Sequence, residues 1–409
     1  MKRRQFFELI AIGSGLNFFD SISKNLLKEK ILEEKKLIIG SLDPWIEVNL
    51  NHIEWNIKKL KEFVKVPIMA VIKANAYGHG LIEIGKFLEK KGIKWLMVGK
   101  LQEAIALRVR GVKCRILNFG PFSKLDCKEI IKWDISQCVF TDEVETLNEI
   151  AQKFRKKAKI HIHVDTGLGR IGVPYHKALK FIEKVSSLSN IKIEGISTAL
   201  TEDKEFDKEQ LKKFREICSI AERKGIFLGL KHAASSDAIL EHPHSYFDMV
   251  RPGITIYGYY PSDKTQKEDK LKLKPALKLK AKVIYTKELL PGESLSYHRK
   301  FIAKKKELVA TIGIGYSDGY PFKAAGKGYV IIQGEKYPII ASITANHMMI
   351  NLNYNKNIKI GDEVILIDDE KKNGCTAYDI GKWCNISVYK LLISLNPLLP
   401  RKYIYKNEV

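Results

Sequence analysis

A lysine stands at the end of a short apolar run and is followed by small residues, a tyrosine and two glycines. The run is Ile68–Ile72, the lysine is Lys73, and the segment continues through Tyr77 to Gly80. An apolar run of this length, bounded by turn residues, predicts a buried strand. Burial lowers the pKa of an amine, and a neutral amine is a nucleophile toward carbonyl compounds. The segment therefore predicts either a carbonyl-binding lysine or a strand-end lysine that pairs with a carboxylate.

Further polar segments follow other apolar runs. His163–Gly172 contains Arg170 within a glycine-rich loop, and His232–Ser236 and Met249–Ile254 are two more, the last of which contains Arg251. Guanidinium suits the binding of carboxylate or phosphate, because it is always charged and presents a fixed fork of donors. Glycine lets a bound group approach the backbone closely. Each segment by itself is equally typical of an ordinary turn.

Metal and disulfide chemistry find little support in the sequence. The six cysteines have neither Cys-x-x-Cys nor His/Cys zinc spacing. His161 and His163 lie two residues apart without a partner cluster, so we predict no metal site. A bridge between Cys127 and Cys138 is expected only if the protein is exported.

The elements that position these residues alternate between strands and helices. Eight strand-like runs with amphipathic stretches between them, within about 190 residues, predict a (β/α)8 barrel. In that fold the chemistry occurs where the strands end, which is where the polar segments lie. The expected strands are Val66–Ile72, Trp95–Val98, Arg115–Phe119, Gln137–Phe140, Lys159–Val164, Lys192–Thr198, Phe227–Lys231 and Met249–Arg251.

Beyond the predicted barrel the pattern changes to short strands bounded by Gly, Pro and Asn. Helical spacing returns there only at Ala377–Trp383 and Val388–Ser394. We therefore predict a barrel domain over residues 51–260 and an all-β domain over residues 261–409, to which residues 44–50 add a strand.

Composition limits the classes of partner. The chain has 409 residues, a hydrophobic content of 45% and a formal net charge of +23. It contains no apolar run of about 18 residues, so we predict no integral membrane segment. The excess lysines are scattered along helices rather than gathered with aromatics in one patch, so we predict no nucleic-acid partner. The expected ligand is a small molecule.

The first 43 residues form an N-terminal extension with two interpretations. Arg3 and Arg4 precede a modest apolar run, Leu9–Phe19, which resembles a twin-arginine export signal. Glu8 and the absence of an Ala-x-Ala cleavage site favour a short amphipathic extension instead. The expected location is therefore cytoplasmic, or periplasmic if this segment directs export.

The first helix of the barrel domain follows this extension, and Asn51 is its expected N-cap.

Taken together, these segments resemble those of the alanine racemase family. Ala70–Gly80 resembles the lysine segment of that family, and Asp165–Arg170 resembles its arginine loop. The resemblance covers nearly all of residues 44–405. It implies a (β/α)8 TIM barrel followed by a C-terminal all-β domain, with pyridoxal 5'-phosphate (PLP) as the cofactor.

The resemblance also implies roles for the residues at strand ends. Lys73 would hold the cofactor, Arg170 would reach its phenolic oxygen and the substrate carboxylate, and Arg251 would face its pyridine nitrogen with support from His232. Because guanidinium does not give up its proton, such an arginine leaves the ring nitrogen unprotonated. By the same resemblance, the phosphate group of PLP would be bound by Tyr77, Ser236, Gly253 and Ile254.

The second domain resembles the family in two further segments. Gly292–Tyr297 matches Gly-Glu-x-x-Ser-Tyr, and Ile314–Pro321 contains Tyr316 of the substrate entrance. The resemblance implies that Tyr297 enters the active site of a partner subunit, so that Lys73 and Tyr297 serve opposite faces of the substrate in a homodimer with shared sites. By the same resemblance, the backbone N–H of Ala345 meets the substrate carboxylate.

Some positions depart from the family pattern. His163 replaces a lysine that many members carbamylate, Ala199 replaces a histidine, Pro397 replaces a tyrosine and His298 replaces a glycine. Several of these changes shorten side chains, which favours a wider substrate range.

The resulting hypothesis is a PLP-dependent racemase that interconverts L- and D-alanine by a two-base mechanism and supplies D-alanine for peptidoglycan. One alternative is a broader-specificity amino-acid racemase, exported if the N-terminus is a signal. Another is a non-enzymatic PLP-binding protein, although such a protein would be a lone barrel. A decarboxylase of this architecture is disfavoured, because it would have an acid where Arg251 stands.

Overall fold

The structure, a computed structural model, describes residues 42–369 and 375–406, so the segment that resembles an export signal lies outside the described residues. Strand β1 (Trp45–Asn49) leads directly into helix α1 (Leu50–Val64). The cap of this helix is Asn49 and not the expected Asn51. The Asn49 side chain accepts hydrogen bonds from the backbone N–H groups of Asn51 and His52, at 3.0 and 3.2 Å. Satisfying these two donors lets the helix begin at Leu50.

The barrel domain is built on a parallel sheet with the order β2-β3-β4-β5-β6-β8-β9, and β7 pairs with β6 outside this path. Its strands carry almost only buried side chains, as expected for a parallel sheet that is covered on both faces. The strands are β2 (Met69–Val71), β3 (Trp95–Val98), β4 (Arg115–Asn118), β5 (Ser136–Val139), β6 (Ala158–Asp165), β7 (Val173–Pro174), β8 (Ile191–Ser197) and β9 (Leu230–His232).

The eighth expected strand, Met249–Arg251, is reduced to a single parallel bridge between Val250 and Ile68. The carbonyl of Val250 accepts a hydrogen bond from the Met69 N–H at 2.9 Å, and the Arg251 N–H donates to the carbonyl of Ala234, just beyond β9, at 2.8 Å. Pro252 follows at once and has no N–H to donate, so a longer ladder is not formed here. The segment still closes the barrel by joining its two edge strands.

Amphipathic helices cover the outside of this sheet. In α6, for example, the buried side chains are Ala178, Phe181, Ile182 and Val185, a spacing that places them on one face. Burying each of the larger ones contributes about 1.5–3 kcal/mol. The helices of the barrel domain are α2 (Leu81–Lys90), α3 (Leu101–Val109), α4 (Cys127–Lys132), α5 (Glu143–Lys153), α6 (Tyr175–Ser186), α7 (Lys204–Arg223) and α8 (Ser236–Glu241).

The second domain is a sheet with the order β13-β16-β15-β14-β17-β10-β1-β18, in which β10 also pairs with β13. Strand β1 lies between β10 and β18, so residues 45–49 do belong to this sheet. Its elements are α9 (Asp263–Glu268), β10 (Leu277–Leu289), β11 (Ser294–Leu295), β12 (Phe301–Ile302), β13 (Glu307–Ile312), β14 (Tyr329–Ile332), β15 (Glu335–Ile340), β16 (Met348–Asn351), β17 (Glu363–Ile367), α10 (Ala377–Cys384), α11 (Val388–Ser394) and β18 (Arg401–Ile404).

Two properties of the described chain bear on the sequence predictions. No helix in residues 42–369 and 375–406 is long and apolar enough to cross a membrane. All six cysteines are free thiols, so Cys127 and Cys138 form no bridge.

A buried asparagine fastens α1 to the chain that links the two domains. Asn56 is fully buried, and its side-chain amide donates to the carbonyls of Ile256 and Lys274 at 3.1 and 2.8 Å. Its carbonyl oxygen accepts from the Lys274 N–H at 2.8 Å. Each of these backbone groups would lose its partner if the side chain were removed.

We expect Asn56→Ala to lower the free energy of unfolding by about 2–3 kcal/mol, because it leaves buried polar groups unsatisfied. The matched control is Asn51→Ala, since Asn51 makes two exposed hydrogen bonds to the backbone of Lys406. Water replaces those bonds, so the control should cost less than about 1 kcal/mol. Urea unfolding of both variants measures the difference, and equal losses would contradict the argument.

Candidate active site

Lys73 follows β2, and the chain then makes a left-handed helical turn. Ala74, Asn75, Ala76 and Tyr77 have φ angles of 52–55°. This conformation costs an L-residue about 1–2 kcal/mol, so the surrounding structure must hold the turn in place. The side-chain oxygen of Asn75, Oδ1, helps by accepting a hydrogen bond from the N–H of Leu81 at 2.8 Å. Strain of this kind is concentrated at functional sites.

A cavity of about 330 Å³ opens at the carboxyl ends of the barrel strands. It brings together residues that are far apart in the sequence but that each follow a strand of the parallel sheet. The predicted site residues in its wall are Lys73, Tyr77, Arg170, Ser236, Arg251 and Gly253.

The electrostatic surroundings of Lys73 favour a neutral amine. Desolvation lowers its pKa, and the positive charges of Arg170 and Arg251 lower it further, while Glu103 acts in the opposite direction. Glu103 instead accepts hydrogen bonds from the backbone, for example from the Gly99 N–H at 3.0 Å. Among the described residues Lys73 forms no ion pair with a carboxylate. This supports the interpretation as a nucleophilic lysine over the interpretation as a paired one.

Arg251 is buried and held by four hydrogen bonds. Its Nη1 donates to Nδ1 and to the carbonyl of His232, both at 2.7 Å. Its Nη2 donates to the carbonyls of Thr198 and Ala233, at 2.8 and 2.9 Å. Since guanidinium only donates, Nδ1 of His232 must accept, and the proton of His232 lies on Nε2, which donates to Nδ1 of His161 at 2.8 Å. The chain of bonds therefore fixes the tautomers of both histidines.

This buried chain carries one positive charge. Burial lowers the pKa of Arg251 to about 10, so the guanidinium stays charged at neutral pH. Burial, reinforced by Arg251, lowers the pKa of His161 to about 3 and that of His232 well below 6.5. Within the described residues, every side-chain hydrogen bond of Arg251 comes from its two terminal nitrogens. Its Nε–H is therefore left to donate to a group bound in the cavity.

A small anion-binding cradle lies on another part of the wall. The N–H of Gly253 donates to Oγ of Ser236 at 2.9 Å, and this hydroxyl also lies 3.1 Å from Oγ1 of Thr255. A Cβ on Gly253 would lie 2.6 Å from the hydroxyl oxygen of Tyr77, so only glycine leaves room for this hydroxyl. Burial raises the pKa of Tyr77, which keeps the hydroxyl protonated and able to donate. The N–H of Ile254 makes no hydrogen bond within the described chain.

These features fit PLP. The hydroxyls and free N–H of the cradle suit its phosphate, and the lysine with a lowered pKa suits its aldehyde. The Nε–H of Arg251 suits an unprotonated pyridine nitrogen, which can only accept. His232 lies behind Arg251 rather than in the cavity wall, which is a supporting position.

The three predicted residues of the second domain lie outside this cavity. Tyr297 is 76% exposed and Tyr316 is 54% exposed, and both belong to the second domain. Ala345 lies beside the loop of Tyr316, since its carbonyl accepts from the Ser317 N–H at 2.9 Å. The N–H of Ala345 makes no hydrogen bond in the part of the chain that is described. One chain therefore does not combine these residues with Lys73.

The turn that presents Tyr297 is strained on both sides. Ser296 and His298 have φ angles of 67° and 58°. His298 stands where the family pattern has a glycine. Glycine would adopt this φ angle without a steric penalty, whereas histidine does not. Arg299 braces the turn by donating to Oγ of Ser294 and to the carbonyl of Gly292, at 3.1 and 3.0 Å.

His163 does not hold Arg170 in this structure. Its ring packs edge-on against Phe119, and Nδ1 lies 3.0 Å from Oγ of Ser197. Burial lowers the pKa of His163 to about 3, so the ring is neutral. Arg170 is exposed to the cavity and makes no hydrogen bond to another described residue, which leaves its guanidinium free for a ligand.

Two wall residues with ionisable side chains were not identified from the sequence. Tyr389 reaches the cavity from α11, and its ring lies 6.0 Å from that of Tyr77. Glu202 reaches it from the loop after β8. Nothing in the sequence near Tyr389 indicates the contact. For Glu202 the available signal was an acidic residue at the carboxyl end of a barrel strand, where function is expected.

The comparisons with known proteins concern both domains. The family model "Alanine racemase, N-terminal domain" matches residues 48–261, and "Alanine racemase, C-terminal domain" matches residues 276–403. Alanine racemase 1 of Clostridium acetobutylicum is 38% identical over 374 residues, which are 89% of this chain and 96% of that protein.

Solved structures are similar over the same extent. Alanine racemase of Clostridium difficile 630 superposes with a TM-score of 0.84 at 33% identity and covers 89% of this chain and 96% of its own. Alanine racemase from Bacillus anthracis with bound L-Ala-P gives a TM-score of 0.83 at 30% identity, over 89% of this chain and 95% of its own. The predicted fold class, a barrel followed by a sheet domain, is thereby confirmed.

We expect Gly253→Ala to weaken PLP binding about 10- to 100-fold, because the added Cβ overpacks the cradle at a cost of about 1–3 kcal/mol. Absorbance titration with PLP measures the affinity. The same substitution in a Tyr77→Phe background should cost less, since the hydroxyl that it meets is gone. An equal loss in both backgrounds would contradict the proposed contact.

Proposed function

The chain belongs to the alanine racemase family and is an enzyme, and from this premise we propose that it interconverts L- and D-alanine with PLP as its cofactor. The observation that carries the proposal is the convergence in one cavity of a lysine of lowered pKa, a buried arginine and an anion cradle. D-alanine for peptidoglycan is the proposed use of the product.

When bound, PLP supplies a conjugated ring that withdraws electrons from Cα of the attached amino acid. Arg251 moderates that withdrawal, because a permanent cation that donates from Nε leaves the ring nitrogen without its own proton. A bound ring with an unprotonated nitrogen would withdraw electrons less strongly, which would favour return of a proton to Cα over side reactions. The four hydrogen bonds of Arg251 keep it in the required orientation.

Racemisation needs one base on each face of Cα. We assign Lys73 to the face from which the proton of D-alanine is removed, since its lowered pKa favours the neutral amine that a base requires. Tyr297 takes the opposite face and removes the proton of L-alanine. Arg170 binds the substrate carboxylate, for which its unpaired and exposed guanidinium is suited.

Because Tyr297 is exposed and absent from the cavity of its own chain, we propose that it serves the cavity of a second copy. Tyr316 and Ala345 would enter the same neighbouring site. Large exposed apolar side chains on the second domain support a homodimer interface there, since such side chains favour burial against a partner. They include Tyr285, Leu290, Ile302 and Phe322.

A broader substrate range is the second candidate. Ala199 and Leu200 leave small or apolar side chains in the cavity wall. Pro397 is smaller than the tyrosine that it replaces in the family pattern. For location we propose the cytoplasm, or the periplasm if residues 1–43 direct export, which a fusion of this segment to a reporter enzyme would decide.

Lys73→Ala should abolish both racemisation and the visible absorbance of protein-bound PLP, because Lys73 is the one lysine among the described residues that line the cavity. Lys100→Ala is the control, since Lys100 is exposed just after β3 and outside the cavity wall. Absorbance spectra before and after borohydride measure the covalent bond. A reducible band that persists in Lys73→Ala would assign the cofactor to another lysine.

Mixed subunits test the shared site. Lys73→Ala and Tyr297→Phe homodimers should each be nearly inactive, because every site lacks one base. After subunit exchange a heterodimer has one site with both bases intact, so an equal mixture should recover about a quarter of wild-type activity. No recovery despite proven exchange would mean that both bases come from one chain.

A further inference from the structure

The left-handed turn after Lys73 is bonded to the second domain. Two carbonyls that follow the turn, those of Gly78 and His79, accept hydrogen bonds from side chains of β18. Nε of Arg401 lies 2.9 Å from the first carbonyl oxygen, and the hydroxyl of Tyr403 lies 3.1 Å from the second. Residues in a left-handed conformation need support from their surroundings, and these two bonds supply some of it.

Backbone hydrogen bonds carry this support towards Lys73. The N–H of Gly78 donates to the carbonyl of Ala74, the residue directly after Lys73, at 3.2 Å. The N–H of Gly80 donates to the carbonyl of Asn75 at 2.9 Å. A residue that β18 binds is therefore joined by one hydrogen bond to the neighbour of the lysine.

The sheet domain packs closely on this segment, and two glycines make room for it. A Cβ at Gly80 would overlap the hydroxyl oxygen of Tyr403, and a Cβ at Gly78 would overlap the carbonyl oxygen of Leu392 in α11. Both glycines have positive φ angles, 100° and 82°. The shape of the turn and its contact with the second domain therefore depend on each other.

Arg401 and Tyr403 are themselves held in place. Strand β18 pairs with β1, and alternation along a strand puts these two side chains on one face and Lys402 on the other. The guanidinium of Arg401 also donates to the carbonyls of Pro397 and Leu399, at 2.9 and 2.7 Å, so it joins the loop before β18 to the turn. Burial raises the pKa of Tyr403 to about 12, which keeps its hydroxyl protonated and able to donate.

We propose that Arg401 and Tyr403 are positioning residues for Lys73, and that the sheet domain of each chain thereby holds the lysine of its own barrel in place. The proposal rests on the proposed racemase function, in which Lys73 removes the proton of D-alanine. Neither residue lines the cavity, so both act through the turn. The sheet domain then has two tasks, since it braces its own lysine and supplies Tyr297 to the partner.

The test compares the two faces of the substrate. In D2O, exchange of the Cα hydrogen with retained configuration needs one base, so D-alanine reports on Lys73 and L-alanine on Tyr297. We expect Tyr403→Phe and Arg401→Ala to lower exchange from D-alanine about 10- to 100-fold more than exchange from L-alanine, because a misplacement of about 1 Å has an effect of this order. Arg401→Lys keeps one donor and should recover part of the loss.

Two matched controls lie on the same part of the chain. Tyr405→Phe removes a hydroxyl that donates to Glu54 at 3.0 Å and is not bonded to the turn. Lys402→Ala removes an exposed cation of β18 that lies over the ring of Trp45, at 4.6 Å from its centroid. Both controls should leave the ratio of the two exchange rates unchanged.

A second measurement needs neither cofactor nor substrate. Hydrogen exchange of the apoprotein, read by mass spectrometry, should be several times faster at the backbone amides of residues 73–80 in Tyr403→Phe and Arg401→Ala than in the wild type. The amides of α5, which lie far from this turn in the sequence and in another element, should exchange at the same rate in all variants.

The proposal is overturned if the variants lower exchange from both enantiomers equally, or if the amides of residues 73–80 stay as protected as in the wild type. If Arg401→Ala does not fold, Tyr403→Phe decides, since it removes a single oxygen atom. A wild-type protein that exchanges neither enantiomer in the presence of PLP would overturn the proposed function instead. Amide exchange in the apoprotein would then still decide whether β18 holds the turn.

Discussion

The burial of one guanidinium sets the conditions for the rest of the site. A charge out of water is costly unless hydrogen bonds replace its hydration, and Arg251 receives that replacement from His232, Thr198 and Ala233. These acceptors lie at or just beyond the ends of β8 and β9. The carboxyl edge of the barrel is therefore arranged around a fixed positive charge, and the segment that contains Arg251 also closes the barrel.

That charge orders the groups near it. Burial lowers the pKa values of His232 and His161, and the charge of Arg251 lowers them further. Burial also lowers the pKa of Lys73, with smaller contributions from Arg170 and Arg251. A cavity with cationic arginines and a lysine of lowered pKa suits an anionic cofactor that carries an aldehyde. The glycine at position 253 leaves room for the hydroxyl of Tyr77 beside this cavity.

The division of the chain into two domains has a chemical consequence. Under the proposed mechanism the barrel holds the groups that bind cofactor and carboxylate, whereas Tyr297 lies on a braced turn of the sheet domain. A rigid barrel positions Lys73 and Arg251 relative to one another. Association of two chains would then complete the site, which couples the reaction to the oligomeric state under the proposed mechanism.

The sequence by itself determined the features that depend on neighbours along the chain. Apolar runs and helical spacing predicted the barrel and the sheet domain, and the segment around Lys73 indicated its chemistry, because periodicity and strand ends are local properties. The tertiary structure alone decided the left-handed turn after Lys73, the shortening of the eighth strand to a bridge at Val250, and the entry of Tyr389 and Glu202 into the cavity. Each of these depends on groups that are distant in sequence, since strain, strand pairing and cavity walls are set by packing between elements and not by the local pattern.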